Sequence, residues 1–379
     1  MKHIKELTTI GFGDIIGSGI SAIFWFYLAT LIIPEKYGEL NYFISIASIA
    51  SYVALIGTQN TITVYVAKKI PIESTFNFIS LIGGIIGFLV LYVIFERLDI
   101  GFLILGYIIN NLTIGLILGR NEYNRYLKYL LLQKILTPIL GLSFFFTLGY
   151  DWIIYGLAIS YAGFTLIIYK SFRDTKINFS LLTNRKGFIM NNYFNALSGT
   201  FHGHVDKIII MPILGAALLG NYSLALQIVS SMMIFSSIFF KYMLPKEASG
   251  ENIIKVKKML IFSSIVFTLI GYFLVPIVLH VYFPKFEGAI EAIKIMSLAI
   301  VPLSIVKIYT SKFLAMEKSK FILIGLIVSL SILISTMIMF GILYDIIGIA
   351  ISFVLASIAQ SLYFYFVGRK LGDKKYEKY

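Results

Sequence analysis

The chain has 379 residues, of which 58% are hydrophobic and 13% charged, and its formal net charge is +13. A soluble domain of this size carries about 25% charged residues, so the composition excludes one water-soluble core and predicts a protein dissolved in lipid. The chain has no cysteine, which excludes disulfides and thiolate metal sites.

Apolar stretches of about 20 residues, bounded by charges or turn residues, predict twelve membrane-spanning helices. In chain order they cover residues 10–33, 41–66, 76–95, 100–119, 129–149, 151–170, 188–212, 219–243, 258–282, 288–311, 320–343 and 345–368. Short connections near Asp151 and Asp345 predict tight hairpins. Pro138, Pro276 and Pro302 interrupt apolar runs and predict kinks.

The basic residues predict the orientation. With the N-terminus in the cytoplasm, 25 lysines and arginines fall on the cytoplasmic side and four on the outer side, while three lie at membrane depth. Lys and Arg concentrate on the cytoplasmic side of membrane proteins, so both termini are expected there. The basic excess then faces the anionic inner leaflet, and nucleic acid is not an expected partner.

An internal repeat predicts two six-helix lobes in an all-α membrane protein. "YGELNYFISIAS" at 37–48 resembles "LGNYSLALQIVS" at 219–230, and "GLAIS" at 156–160 resembles "GIAIS" at 348–352. The predicted organisation is an N-terminal lobe at 1–170, a cytoplasmic linker at 171–187, a C-terminal lobe at 188–368 and a basic tail at 369–379. Parallel repeats of this kind occur in transporters that bind substrate between their halves.

The seventh predicted helix is unusually polar for its setting. On a helical wheel, one stripe contains Asn191, Asn195, Ser198, His202 and Asp206, and a second contains Thr200, His204 and Lys207. A charge at the bilayer centre costs about 2.5 kcal/mol or more, so this face is expected to line a hydrated cavity. In the alternative interpretation, Asp206 and Lys207 reach the outer surface and the asparagines only bridge helices.

Three further ionisable residues fall within predicted spans. Asp14 lies in the first helix, and Lys134 and Lys307 lie near cytoplasmic helix ends, where snorkelling is a simpler explanation for the lysines. Catalytic motifs and metal-ligand spacings are not found, so no enzyme activity, metal or cofactor is expected.

Two segments match short motifs of one family of membrane transporters. Residues 28–69 match the family's "Pro-Glu-x-Tyr-Gly" turn between its first two helices and a later "Leu-x-Gly". Residues 204–228 match its pattern of an Asp with a following basic residue, "Leu-Gly" and "Gly-x-Tyr-x-x-Ala". The matching residues are Pro34, Glu35, Tyr37, Gly38, Gly57, Asp206, Lys207, Leu214, Gly215, Gly220, Tyr222 and Ala225. On these residues the chain resembles the Wzx-type polysaccharide flippases, within the multidrug/oligosaccharidyl-lipid/polysaccharide exporter superfamily. Lys207 stands where that family usually has Arg.

The resemblance implies that the protein moves a polyprenyl-phosphate- or diphosphate-linked glycan from the inner to the outer leaflet of a prokaryotic inner membrane, by alternating access and alongside glycan-assembly machinery. The expected substrate-binding residues are Asn191, Asn195, Ser198, His202, His204, Lys207, Lys134 and Lys307. Asp14 and Asp206 are candidates for ion or proton coupling.

Two alternatives stay open. A cation-coupled multidrug or small-solute antiporter of the same superfamily would share the fold, although the spans hold few carboxylates for coupling. A glycan polymerase or ligase would need a larger outer loop than the segment 282–292. Lipid II flippases usually have fourteen helices, which counts against that branch.

Overall fold

The computed structural model describes residues 2–183 and 185–376, with side chains described for 13–183 and 185–371. These residues form helices and connecting turns, without a strand. In lipid every backbone N–H and C=O must be paired internally, and an α-helix achieves this within one segment.

The helices, in chain order, are α1 (Lys2–Leu31), α2 (Pro34–Ala54), α3 (Gln59–Ala67), α4 (Glu73–Phe95), α5 (Leu98–Gly119), α6 (Tyr123–Leu148), α7 (Ile153–Ile159), α8 (Thr165–Asp174), α9 (Ser180–Thr183), α10 (Lys186–Leu214), α11 (Ala216–Met232), α12 (Ile234–Ala248), α13 (Ile254–Leu269), α14 (Val275–Tyr282), α15 (Glu287–Ser297), α16 (Ile300–Ala315) and α17 (Lys320–Tyr376). Short 3₁₀ turns lie at Tyr150–Trp152 and Ala162–Phe164, and a π-helical turn lies at Ile270–Leu274.

Within the described residues, nine helical segments are long and apolar enough to cross a membrane, or ten if α15 and α16 form one span bent by 48°. This confirms a multi-pass, all-helical membrane protein. The last of the nine segments, Lys320–Leu371, has 52 residues, about 78 Å of helix, which is more than twice the hydrocarbon thickness of about 30 Å. Its backbone leaves helical geometry at Tyr344 and Asp345, where the predicted hairpin lies.

Several boundaries differ from the predictions. The expected turn at Pro34–Gly38 is the first part of α2, because proline fits the first helical position, where no N–H partner is needed. The expected single helix at 41–66 is broken between α2 and α3, where the Thr58 hydroxyl caps α3 by accepting from the N–H of Thr61. Gly57 lies in this break and packs against the Phe76 ring.

The predicted proline kinks have different outcomes. The π-helical turn directly precedes Pro276, and the bend between α15 and α16 directly precedes Pro302. A proline removes one hydrogen bond and crowds the preceding turn, so both distortions have an identifiable cause. Pro138 instead lies inside α6 with no break in the helix.

The chain forms two compact units. Unit 1 contains the residues up to Leu28 together with Tyr42–Val205. Its centre is α5, which packs against α3, α4 and α7. The buried side chains of α5 are aliphatic over most of its length, including Ile104, Ile108 and Leu112.

Unit 2 contains Ala29–Asn41 and the residues from Asp206 onward. Here α15 packs against α11 and α17, and α16 packs against α12 and α17. Phe286, Ile293 and Met296 are fully buried in this packing. The Phe286 ring meets the edge of Tyr37, which attaches the start of α2 to this unit.

The start of α2 crosses the start of α11 through two glycines. A Cβ on Gly38 would overlap the carbonyl oxygen of Ala216, and a Cβ on Gly220 would overlap that of Pro34. When the two matched segments are aligned, Gly38 corresponds to Gly220, and at the same spacing Pro34 corresponds to Ala216. The two glycine contacts are therefore equivalent. Small residues allow helix backbones to approach this closely.

The second pair of repeat segments shows the same use of glycine. A Cβ on Gly156 would lie 2.6 Å from the Leu140 carbonyl oxygen, and a Cβ on Gly348 would overlap that of Phe340. In each case the glycine begins the matched five-residue segment and packs against the backbone of the preceding helical stretch. Equivalent residues of the two matched segments therefore serve the same packing purpose.

Candidate functional site

The polar segment identified in the sequence forms one continuous helix, α10, of 29 residues. At 1.5 Å per residue it is about 43 Å long, which is ample to span the hydrocarbon core. It is not among the nine apolar segments, because its asparagines, histidines and charges lower its hydropathy. A spanning helix that is not apolar all round needs a non-lipid surface for its polar side chains.

The polar stripe begins with accessible amides. Asn191 and Asn195 are exposed, and Ser198 and His202 are half-buried. Asn192, next to the stripe, instead donates to the Phe188 carbonyl of its own helix at 2.9 Å. The two exposed amides each carry two N–H donors and one carbonyl acceptor, which suits them to a hydroxyl-rich ligand.

The second stripe is tied to α2 within unit 1. The Nδ1 atom of His204 lies 3.2 Å from Oγ of Ser45, and Ser45 is buried. The imidazole is half-buried, and the contact with Ser45 holds one of its two nitrogens against a neighbouring helix. The other stripe residue in this unit, Thr200, donates to the Ala196 carbonyl of its own helix at 3.0 Å.

Asp206 and Lys207 form a buried ion pair in unit 2. The Lys207 Nζ lies 3.2 Å from Asp206 Oδ1, and the Tyr222 hydroxyl donates to Asp206 Oδ2 at 2.7 Å. The backbone N–H of Lys207 also donates to Asp206 Oδ1 at 2.8 Å. Both charged residues are less than a tenth exposed. The helical wheel placed them in separate stripes, whereas the structure joins them and neutralises both charges.

Asp14 and Lys134 are brought together in unit 1. The Tyr126 hydroxyl donates to Asp14 Oδ1 at 2.9 Å. The stem of Lys134 packs against Gly17, one turn after Asp14 in α1, and the Lys134 ammonium interacts electrostatically with Asp14. Two residues predicted for different roles, substrate binding and ion coupling, therefore share one cluster.

Lys307 lies apart from these groups, on α16 in unit 2. Its ammonium stands 5.7 Å from the centre of the Phe240 ring, and the residue is half-buried. A cation over an aromatic face is stabilised by the ring quadrupole. None of the contacts described for Lys307 joins it to the polar face of α10.

Sequence reasoning missed a buried polar network at one end of unit 1. Glu73 is 7% exposed, and its Oε2 accepts from Arg120 at 2.9 Å and from the Ser171 hydroxyl at 3.2 Å. Asn77, fully buried, donates to Ser171 at 3.1 Å. A signal was present in the polar run "ESTFN" at 73–77, where a carboxylate and amide directly precede an apolar span.

The described side chains contain no group of three His, Asp or Glu residues close enough to hold a metal ion. The imidazoles of His202 and His204 supply hydrogen-bonding groups, which become cationic when protonated.

Comparison with known proteins identifies the fold. Neither known protein families nor curated proteins give a sequence match. Among solved structures, the chain is similar to an inward-facing multidrug resistance MATE family transporter of the MOP superfamily, with a TM-score of 0.71 and 13% identity over 93% of this chain and 94% of that one. It is also similar to the lipid II flippase MurJ in an inward closed conformation, with a TM-score of 0.73 and 15% identity over 94% of this chain and 87% of that one.

A MATE transporter in an outward-facing conformation is similar as well, at a TM-score of 0.64 with 97% of this chain covered. Identities this low establish a shared fold and no shared substrate. The chain therefore has the fold common to MATE transporters and the MurJ flippase, built as a multi-pass helical membrane protein.

Proposed function

We propose that this protein moves polyprenyl-phosphate- or diphosphate-linked oligosaccharide from the inner to the outer leaflet of a prokaryotic inner membrane by alternating access. The observation that carries the proposal is the polar face of α10, where Asn191 and Asn195 are exposed on a helix long enough to span the bilayer. Exposed amides on a helix within the membrane need a polar ligand or water as partner. A glycan supplies hydroxyl partners along its length.

The fold supports a lipid-linked substrate, because one similar structure is named as a flippase of lipid II. The Wzx-type resemblance narrows the proposed cargo to the repeat units of a surface polysaccharide, delivered by glycan-assembly enzymes at the cytoplasmic side. Asn191, Asn195 and Ser198 would bind sugar hydroxyls, while His202, His204 and Lys207 would approach the anionic head.

The lysines contribute less to the proposed substrate recognition than the sequence predicts. Lys207 is neutralised by Asp206, and the negative charge of Asp14 acts on Lys134. A cation near a carboxylate attracts an additional anion more weakly than an isolated one. Amide and hydroxyl groups therefore carry most of the proposed glycan recognition, with Lys134 and Lys307 as secondary contributors.

Twelve spans in two lobes, with both termini in the cytoplasm, complete the proposed architecture. Dividing α17 at Asp345 and adding the polar helix α10 brings the ten apolar segments to twelve. The equivalent glycine contacts of Gly38 and Gly220 support the repeat. The lobe boundaries proposed from the sequence, 1–170 and 188–368, follow the repeat, whereas the compact units divide α1, α2 and α10.

A cation-coupled antiporter is the second candidate function. Two similar structures are multidrug resistance transporters of the MATE family. Asp14, held by the Tyr126 hydroxyl, is a carboxylate within a span and could bind a coupling cation. This candidate predicts drug efflux that depends on Asp14.

Leaflet exposure of a labelled substrate separates the two functions. Purified protein is reconstituted in liposomes that carry a fluorescent polyprenyl-diphosphate oligosaccharide, and an impermeant quencher reports the label that reaches the outside. We expect quenching to advance faster than in empty liposomes. No acceleration, together with proton- or sodium-driven drug uptake in the same vesicles, would instead establish the antiporter.

The same assay tests the polar face of α10. The double variant Asn191→Ala/Asn195→Ala should slow transport at least tenfold while leaving the thermal transition unchanged, because both side chains are exposed. Asn192→Ala is the matched control, since this amide is bonded to its own helix. Equal rates for the double variant and the control would remove the amide face from the mechanism.

A further inference from the structure

A basic pocket lies where three helices of unit 1 end. It has a volume of about 340 Å³ and is lined by Arg120, Arg125, Ile167, Lys170, Arg173 and Asp174. Arg120 directly follows α5, Arg125 lies in the first turn of α6, and the other four residues belong to α8. The segments Leu98–Gly119, Tyr123–Leu148 and Tyr150–Asp174 are all apolar enough to span a membrane, so their ends place the pocket at the membrane surface.

Arg120 and Arg125 of the pocket are each held in place by a carboxylate. Nη2 of Arg120 donates to buried Glu73 at 2.9 Å and lies 3.5 Å from Asp174. The Nη1 atom of Arg125 donates to Glu122 at 2.7 Å. A guanidinium carries five N–H donors, and the contacts described for Arg120 involve Nη2 alone. Each arginine therefore keeps donors for a further acceptor.

The two basic residues of α8 have no carboxylate partner among the described residues. Lys170 and Arg173 are exposed and make neither a hydrogen bond nor an ion pair there. They are spaced three residues apart, so they share one face of the helix and repel each other in the absence of an anion. The negative end of the α8 dipole favours cations here, but it does not explain Arg125, which lies in the first turn of α6.

The surface one turn deeper is apolar. Leu166 is 67% exposed and lies four residues before Lys170, and Tyr169 is 63% exposed and lies four residues before Arg173. Residues four apart on a helix are neighbours on the same face. The face thus presents two apolar side chains at membrane depth below two cations that have no partner among the described residues.

We propose that this pocket binds a phosphate group, in the form of the head group of an anionic phospholipid. Lys170 and Arg173 contact the phosphate, the remaining donors of Arg120 complete its coordination, and an acyl chain lies along Leu166 and Tyr169. Arginine suits phosphate because its planar donors match two oxygens at once. Basic pockets at the ends of membrane helices offer this chemistry to acidic lipids.

Lipid selectivity of the full-length protein tests the proposal. Native mass spectrometry of detergent-purified protein measures retention of phosphatidylglycerol against phosphatidylcholine of the same acyl chains, and a parallel titration uses inorganic phosphate. We expect phosphatidylglycerol to be preferred, and Lys170→Gln/Arg173→Gln to reduce that preference about tenfold or more. The charge-conserving variant Lys170→Arg/Arg173→Lys should retain it.

A matched control removes two positive charges elsewhere. Lys255 and Lys258 of α13 are exposed and make no described pairing, so Lys255→Gln/Lys258→Gln changes the net charge equally and should keep the preference. Binding of inorganic phosphate that depends on Lys170 and Arg173, without lipid preference, would assign the site to a soluble phosphate. An unchanged preference in Lys170→Gln/Arg173→Gln, or an equal loss in the control, overturns the proposal.

Discussion

Replacing Gly38 by alanine should destabilise the protein by forcing α2 and α11 apart. The added Cβ would overlap the Ala216 carbonyl oxygen and lie 2.7 Å from the backbone nitrogen of Gly220. Ordinary contacts begin near 3.4 Å, so the overlap with the nitrogen alone is about 0.7 Å. Backbone atoms cannot rotate away as a side chain can. Overpacking of this kind costs about 1–3 kcal/mol, which exceeds the gain of about 0.5–1 kcal/mol from placing alanine in a helix.

Thermal denaturation of purified protein in detergent, followed by tryptophan fluorescence, measures the effect. Gly87→Ala is the matched control, because Gly87 lies inside α4 and a Cβ there would meet nothing within 4 Å. We expect a lower Tm for Gly38→Ala and an equal or slightly higher Tm for Gly87→Ala. Gly220→Ala should resemble Gly38→Ala, because it crowds the Pro34 backbone in the equivalent way.

The double variant Gly38→Ala/Gly220→Ala tests whether the two glycines serve one crossing. Once the first substitution has separated the helices, the second meets less resistance, so the combined loss should be smaller than the sum of the two. Additive losses would mean that the two contacts are independent. A Tm for Gly38→Ala equal to that of Gly87→Ala would refute the close helix approach itself.

Three further substitutions test the described charges. Asp206→Asn should lower the free energy of unfolding by about 3–5 kcal/mol and reduce the yield of folded protein, because Lys207 stays buried without its counter-charge. Asp206→Asn/Lys207→Met should recover part of this stability. An Asp206→Asn variant as stable as the original protein would contradict the buried pair. Glu73→Gln should lower stability by about 2 kcal/mol, because Arg120 loses a charged acceptor, and thermal denaturation checks this. Glu251→Gln should leave the Tm unchanged, because this carboxylate pairs with Lys246 at the exposed surface. A clear shift in Tm would contradict the small contribution expected of a surface ion pair.

The sequence was sufficient for the features that follow from composition and local periodicity. Apolar length requires a membrane, and helix is the conformation that pairs its own backbone groups there, so an all-helical multi-pass fold follows directly. The resemblance between the segments that contain Gly38 and Gly220 was also visible locally, because it needs only the order of residues. The polarity of α10 was apparent for the same reason, since a helical wheel needs only the order of residues.

Breaks inside spans depended on tertiary packing. The interruption between α2 and α3 places Gly57 against the Phe76 ring of another helix, a contact that the local sequence does not specify. In the same way, the start of α2 at Pro34 is stabilised by Tyr37 packing on Phe286, far away in sequence. Local patterns carry no information about such partners.

The burial of the charged pair on α10 was decided by tertiary structure. Asp206 and Lys207 are adjacent residues of one helix and point about 100° apart, so a helical wheel separates them. The hydroxyl of Tyr222, supplied by α11, accompanies Asp206 in a buried site, where Lys207 also reaches the carboxylate. An isolated charge is expensive in a low dielectric, so the fold selects the arrangement in which the two neutralise each other. The order of residues determined that α10 is polar, and the packing of other helices against it determined which of its polar groups stay accessible.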